Sequence, residues 1–491
     1  MSVNKPTQKI TCPLFINGQE IRGSGETLSV VSPYFGDVIA DLSTASVADV
    51  EKAVASAAEA QKSWGALPLK ERTRVMFKFR EILMERAEEI SHTISLESGK
   101  TIKEAYAGLM KGVEVLEFAL SLQNIDIGGK MEVSRGVFCE YRRMPLGVTA
   151  NITPFNFPAM VPMWTIPLSL TLGNAYLWKP SEKTPLTSLH LAKALKDSGL
   201  PDGLFQVLHG GEATVNAIID HPEVKAIGFV GSSKIAGLLY ARATALGKRA
   251  LCLGGAKNHI VLLPDANPEL TGPGISDSFT GCAGQRCMAA SVVLAVGNVE
   301  HHIQQIIKRA ASLKLGDEMG ALITKAQKDF LCQAIERAVK EGAKILLDGR
   351  DVKAPKGYEG GHWLGPTILD HVKPGSEAAT KELFGPLLSI IRCQTINEAM
   401  EIENSSEYGN ACSVFTSSGA LSEKVITMAR AGMIGVNIGV PVPREPFSFG
   451  GIQASRFGHG DITGSQGVDF WTQLKKLTTK WEAQTDHTWM S

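Results

Sequence analysis

Between residues 146 and 263 short apolar runs alternate with amphipathic segments, and no other feature of the sequence restricts the fold so much. LGVTANIT, AYLWKPS, LFQVLHG, AIGFVGSS and NHIVLLP read as strands, with SLHLAKALKDSG and SKIAGLLYARATALG as helices between them. Strands joined through helices run parallel, and a parallel sheet needs cover on both faces. VVLAVG, AKILLDG, CSVFTSS and MIGVNIG repeat the theme, so a second α/β domain is expected from about 255 to 450. Ahead of the first sheet, residues 46 to 122 carry helical periodicity with few breakers, as in VEKAVASAAEAQKSWG and RVMFKFREILMERAEEI. A strand-like entry turns at Asn17-Gly18. The tail GVDFWTQLKKLTTKW alternates like an edge strand and is a candidate to pair with VFCEYRRMP, which interrupts the first domain.

A chain of 491 residues exceeds one simple core, so two large domains with a smaller appendage are expected. Lys plus Arg and Asp plus Glu balance at 50 each, so no global field attracts nucleic acid or an anionic membrane. Any charged ligand must be met by a local site. The eight cysteines lack the spacing of a disulfide-stapled domain, and MSVNKPTQKITCPLF has neither an apolar nor an Arg-rich targeting pattern. A reducing compartment, the cytoplasm, is the expectation. Met144 to Trp178 contains no Asp, Glu, Lys or Arg, yet Pro154, Pro158, Pro162 and Pro167 break any spanning helix, and Asn151, Asn156 and Asn174 would need partners in lipid. A buried segment around a ligand pocket fits better than a membrane span.

Four segments carry candidate chemistry. In SFTGCAGQRCMA, Cys287 stands among small residues that leave room for a substrate, with Arg286 adjacent to favour its thiolate. Taken singly, a cysteine is more often an inert core residue. In TPFNFPAMVPMW, Asn156 sits among aromatic and proline residues, placed to donate an N–H to a developing oxyanion, although an asparagine alone equally satisfies a turn. AIGFV ends in Gly231-Ser232-Ser233 and opens a helix with Ile235, Leu238 and Leu239, a strand-turn-helix suited to a pyrophosphate. It is not a full GxGxxG fingerprint, and any helix can be capped by serine. WKPSEKTP ends a strand with Lys179 and Glu182, which read either as ribose ligands at the sheet edge or as a surface ion pair. No metal site is expected.

These segments, in this order, together with KELFGP (381 to 386) and YGNACSVFT (408 to 416), resemble the aldehyde dehydrogenase superfamily over nearly the whole chain. The resemblance implies a Rossmann-like NAD-binding domain (1–124 and 146–254), an α/β catalytic domain (255–453) and a small β oligomerisation arm (125–145 and 468–491). It implies that Cys287 is the nucleophile and that Asn156 and the Cys287 backbone N–H form the oxyanion hole. Lys179 and Glu182 would hold the adenosine ribose, Ser232 the pyrophosphate and Glu382 the nicotinamide ribose, with Phe384 near the ring. Thr153, Phe155, Lys183, Gly231 and Gly254 complete the expected cofactor contacts. A homodimer or homotetramer is expected.

Within the superfamily, GQRCMA, PFNFPAMVPMW, GAKNH and FWTQLKKLTTKW are similar to the coenzyme A-dependent branch that acts on methylmalonate and malonate semialdehyde. Hydrolytic members carry a glutamate just before Leu-Gly-Gly to activate water; here that position is Cys252, which is no base at neutral pH. Coenzyme A brings its own thiol. The resemblance therefore implies NAD-dependent formation of a Cys287 thioester, decarboxylation and release of propionyl- or acetyl-CoA. Arg286, then Lys111, are the candidates to hold the substrate carboxylate. Two positions depart from the family pattern: Cys282 replaces an asparagine, and Lys111 stands where close relatives have an arginine, keeping the charge but losing the two-pronged geometry. Two rivals remain at this point: a hydrolytic enzyme of another substrate and a non-catalytic NAD-binding protein.

Overall fold

The computed structural model describes residues 3–125 and 128–481, so residues 126–127 and 482–491 of the expected arm lie outside the described residues. Four helices, Val47–Ala66, Leu69–Glu85, Ala87–Ser98 and Ile102–Ser121, realise the periodicity read between 46 and 122. Ser46 with Asp49 and Thr101 with Glu104 open the first and last as capping boxes, satisfying N–H groups that the first turn leaves orphaned. Val50, Val54, Phe79, Leu83, Ile90 and Leu116 point inward against the first sheet.

That sheet has eight strands, and its parallel centre runs Arg249–Leu253, Val224–Val230, Val148–Ile152, Ala175–Lys179, Phe205–Val207. One edge is closed by the hairpin Leu14–Ile16/Gln19–Ile21, whose turn residues Asn17 (φ 51°) and Gly18 (φ 73°) both take the left-handed conformation a tight hairpin needs. The other edge is Arg456–Phe457, antiparallel to Arg249–Leu253. The strand Arg249–Leu253 escaped the sequence reading because GG follows it directly and its own two alternations, Ala-Leu and Cys-Leu, are apolar throughout.

The second sheet has seven strands, ordered Lys344–Leu347, Thr367–Asp370, Leu387–Cys393, Ala290–Val296, Asn258–Leu262, Ala411–Phe415 and Met433–Val436, with only the first antiparallel to its neighbour. Thr367–Asp370 and Leu387–Cys393 were not anticipated. A third, three-stranded sheet joins Thr472–Lys480, Val137–Pro145 and Gly129–Ser134, and its register aligns Gln473 with Met144 and Thr478 with Cys139. The tail thus pairs with VFCEYRRMP, but it becomes strand only at Thr472. Gly464–Phe470 is helical because Val468, Phe470 and the following Trp471 are buried together and Gly467 packs closely on Leu168.

Met144–Trp178 lies in the core, where Asn174 accepts from the Leu146 and Gly147 N–H groups and donates to the Trp471 carbonyl. Among the described residues no helix is long and apolar enough to cross a membrane. The parallel strands of the first sheet all end on one edge, and four of the five ends lead into a residue singled out above: Thr153, Glu182, Ser232 and Gly254. That edge is where open α/β sheets bind ligands.

Candidate active site

Helix Pro268–Thr280 stops at Gly281, and Cys282, Ala283 and Gly284 then take left-handed conformations in succession, with φ of 53°, 52° and 68°. Two of the three carry a Cβ, a strained arrangement costing about 1–3 kcal/mol each unless its surroundings impose it. Here they do. The Cys282 N–H donates to the Glu104 carboxylate, the Gln285 side chain accepts from the Ile323 N–H at 3.0 Å and donates to the Cys282 carbonyl at 3.3 Å, and the Arg286 guanidinium donates to the carbonyls of Gly281 (3.0 Å) and Asp277 (2.6 Å). A Cβ on Gly284 would stand 2.0 Å from the Gly385 carbonyl, so glycine is what lets this loop pass the KELFGP loop. The reversal delivers Cys287 between the two sheets.

The Cys287 carbonyl accepts from the side-chain amides of Asn258 (2.8 Å) and Asn410 (2.9 Å), which fixes the backbone of this cysteine from below. Asn156 Nδ2 donates to the Gln285 carbonyl at 3.0 Å, holding that amide against the same loop with a second N–H to spare for an oxyanion. Burial pushes the Cys287 thiol up to about 12; the Glu382 carboxyl adds to this, while its own backbone N–H, Arg286 and Lys100 oppose it. Glu382 itself is raised to about 7 by burial, with the Ala256 N–H (2.9 Å to Oε1) and the Lys257 ammonium pulling it back. Lys257, buried and donating to the Lys381 carbonyl at 2.8 Å, is lowered to about 7. Cys287 joins an apolar cluster with Phe157, Met160, Trp164, Phe449, Val440 and Val442.

The two carboxylate candidates are both engaged. Arg286 lies across Gly281, where a Cβ would collide with its guanidinium, and serves two backbone carbonyls; beyond them it borders a small recess shared with Glu382 and Phe384. Lys111 bonds Glu114 (3.0 Å) and the buried Glu445 (3.1 Å). Cys252 packs with the core cluster that includes Phe229 and Ala236, whereas its neighbours Leu251 and Leu253 pack in the cluster Cys287 joins; burial lifts the Cys252 thiol to about 12.

On the nucleotide side, Lys179 reaches Glu182 at 2.5 Å and the Gly210 carbonyl at 3.0 Å. It is buried, so this is not a surface ion pair, and burial lowers its ammonium while Glu182 raises it. Ser232 occupies the N-cap of helix Ser233–Ala245 without bonding to it, leaving an exposed hydroxyl beside open N–H groups. Its neighbour Ser233 accepts from the Gly255 N–H and donates to the Ala454 carbonyl, and the Gly254 N–H donates to the Ser455 carbonyl, so these two are committed to the turn. Gly231 packs against the Phe229 ring. Leu239 is buried as expected, but Ile235 and Leu238 face outward, giving this helix an apolar outer strip. The Thr153 hydroxyl accepts from Trp178 at 2.8 Å; Lys183 lies 5.1 Å over the Phe155 ring, which meets Phe384 edge-on at 5.9 Å. Phe384 is itself left-handed (φ 57°).

Gln285, Asn258, Asn410, Lys257 and Lys100 were not singled out from the sequence. The asparagines stood inside GAKNH and YGNACSVFT; a buried amide following a strand boundary was the available signal, whereas Gln285 and the lysines act through contacts distant in sequence. Comparison with known proteins extends the geometry. The profile of the aldehyde dehydrogenase family matches residues 21–477. A methylmalonate-semialdehyde/malonate-semialdehyde dehydrogenase [acylating], mitochondrial, of Rattus norvegicus is 39% identical over 482 residues, 96% of this chain and 90% of the relative. Malonate-semialdehyde dehydrogenase 2 of Geobacillus thermodenitrificans is 38% identical, covering 96% of this chain and 100% of the relative. Among solved structures, a Sinorhizobium meliloti 1021 protein given the provisional name methylmalonate-semialdehyde dehydrogenase and complexed with NAD superposes with a TM-score of 0.95 at 36% identity, over 98% of this chain and 99% of that one. A methylmalonate-semialdehyde dehydrogenase from Oceanimonas doudoroffii gives the same score and identity over 97% and 99%. On the strength of the reversed cysteine loop, the sheet edge facing it and these matches, the chain belongs to the aldehyde dehydrogenase family.

Proposed function

We propose that the protein oxidises methylmalonate or malonate semialdehyde, with NAD, to propionyl-CoA or acetyl-CoA and carbon dioxide. The observation that carries the coenzyme A-dependent reading is Cys252: the position before Leu253-Gly254-Gly255 holds a buried thiol instead of a carboxylate, so water has no base there. Cys287, once its proton has left, attacks the aldehyde carbon; Asn156 Nδ2 and the Cys287 N–H meet the alkoxide. NAD, when bound, accepts the hydride. The residues present fit that cofactor: Ser232 and the free helix start for pyrophosphate, Lys179 and Glu182 for one ribose, Glu382 for the other, and Ile235 with Leu238 as apolar surface for a base. The thioester on Cys287 makes the β-carboxylate of such a substrate a leaving group as carbon dioxide, and the thiol of coenzyme A displaces the acyl group.

A hydrolytic oxidation of an uncharged aldehyde is the second reading, favoured by one observation: Lys111 already answers to two carboxylates. Rapid mixing with NAD and malonate semialdehyde, with and without coenzyme A, separates them. The acylating reading expects a burst of NADH near one per site, then a slow phase that coenzyme A accelerates; a fast steady state indifferent to coenzyme A, or a preference for uncharged aldehydes, selects the second. The same proposal includes the domain division 1–124 with 146–254, 255–453, and an arm of 125–145 with 468–491 through which copies assemble as a homodimer or homotetramer. Eight unpaired cysteines agree with a reducing compartment such as the cytoplasm.

A further inference from the structure

Lys100 sits between Gly99, which ends one helix in a left-handed conformation, and Thr101, which caps the next. It is 4% exposed. Its Nζ has no hydrogen-bonding oxygen or nitrogen among the described residues and rests 3.7 Å from the centroid of the Phe157 ring. The neighbouring carboxylate is directed elsewhere: Glu104 Oε2 takes the Thr101 N–H and hydroxyl (3.0 Å each), and Oε1 takes the Cys282 N–H. A buried ammonium with an aromatic ring and the Cys282 thiol beside it, and no oxygen acceptor, is a costly arrangement, and such groups collect at functional sites.

The Lys100 carbonyl accepts from the Tyr34 hydroxyl at 3.1 Å, but its side chain points to the Cys287 loop. Phe157 directly follows Asn156 and packs in the cluster of Cys287. The turn at Gly99 is bound to Ala321, whose N–H donates to the Gly99 carbonyl at 2.7 Å and whose carbonyl accepts from Gln285 at 3.4 Å, two residues from Cys287. The charged or titratable groups facing Cys287 are Glu382, with Lys257 beyond it, and Arg286 and Lys100; Glu104 and Cys282 lie beside Lys100. Of the cations, Lys257 addresses the Lys381 carbonyl and Arg286 the carbonyls of Gly281 and Asp277. Lys100 alone keeps its charge unpaired.

We infer that Lys100 is a positioning residue for acylation: pinned on Phe157, its ammonium orients the Asn156 segment and supplies fixed positive charge toward the Cys287 thiolate and the alkoxide that follows. This rests on Cys287 being the nucleophile. The test measures the pH dependence of the NADH burst with malonate semialdehyde and no coenzyme A for wild type, Lys100→Met, Lys100→Gln, Lys100→Arg and Cys287→Ala, with NAD affinity and thermal melting as checks on folding. The neutral variants should move the alkaline-rising limb of the burst rate upward by about one pH unit, an approximately tenfold loss at pH 7, with NAD affinity unchanged, and Arg should restore the limb. A limb at its wild-type position in a folded neutral variant overturns the inference, whatever the amplitude. An equal shift in Arg and in the neutral variants overturns it too, because packing and not charge would be responsible. A burst that survives in Cys287→Ala removes the nucleophile reading underneath as well.

Discussion

The loop that carries Cys287 and the turn that carries Ser232 are built oppositely. Around Cys287 the polar groups answer to the chain itself: Asn258 and Asn410 hold one carbonyl, Gln285 bridges to Ile323, Arg286 caps the helix behind, and three left-handed residues are locked in between. Around Ser232 the backbone of Gly231 and Gly254 and the Ser233 hydroxyl are tied into the turn, but the Ser232 hydroxyl itself is exposed and uncapping. Bond-making tolerates little displacement, so its groups are fixed before substrate arrives; a nucleotide with many contacts can order its own ligands. Changes on the first side should therefore alter rates, and changes on the second should alter affinity.

The largest break in that contrast is Cys287→Ala, expected to lower turnover by roughly 10⁴-fold or more while NAD still binds, as read by NADH production and by fluorescence quenching. Measurable steady turnover would show that the loop is fixed for some other reason. Asn156→Ala should slow the burst by about 10²- to 10³-fold, the value of roughly 3 kcal/mol that one oxyanion donor carries, again with NAD affinity intact. A drop in affinity without a drop in rate would place Asn156 on the nucleotide side.

Glu382 tests the boundary. Its carboxyl, raised to about 7 by burial, is ionised above that pH and protonated below it, and the ionised form is the stronger acceptor for ribose hydroxyls. NAD affinity should accordingly fall by up to about tenfold from pH 8 to pH 6, and Glu382→Gln should flatten the curve. A wild-type profile already flat would dissociate Glu382 from the ribose. Ser232→Ala is the smallest: a severalfold rise in KM for NAD with kcat unchanged, since one of several phosphate donors is removed. Equal losses in kcat would mean the turn is as preorganised as the cysteine loop.

How much of this was legible beforehand divides along the same line. Strand-helix alternation located the parallel centre of the first sheet, and Cys287, Asn156, Lys179 and Glu382 were named from local motifs, because each sits where a strand or helix ends and a pattern changes. Arg249–Leu253 was missed, its apolar run being indistinguishable from a loop approach to Gly254-Gly255. Gly467–Phe470, the end of the helix Gly464–Phe470, was read as strand, since the pull of Val468, Phe470 and Trp471 into the core is a tertiary force with no local mark. Arg286 and Lys111 were legible as cations but not as engaged ones: Glu445 stands far along the chain from Lys111. Lys100 was not singled out, for nothing in SGKT announces the Phe157 ring.

The pairing of Thr472–Lys480 with Val137–Pro145 carries a consequence for how the molecule comes to exist. Arg143 and Thr472, bonded at 3.2 Å, are 329 positions apart, and Arg456–Phe457 closes the first sheet only after the whole second sheet has been made. On the ribosome, then, the strand Arg249–Leu253 waits with one row of N–H and C=O groups open while about two hundred further residues emerge, and Val137–Pro145 waits with another for more than about three hundred. At synthesis speeds of about 5–20 residues per second that exposure lasts on the order of ten seconds or more. Nascent chains stalled before residue 456 should accordingly depend on chaperones, and a cut in the last strand should harm yield more than it harms the activity of molecules already assembled.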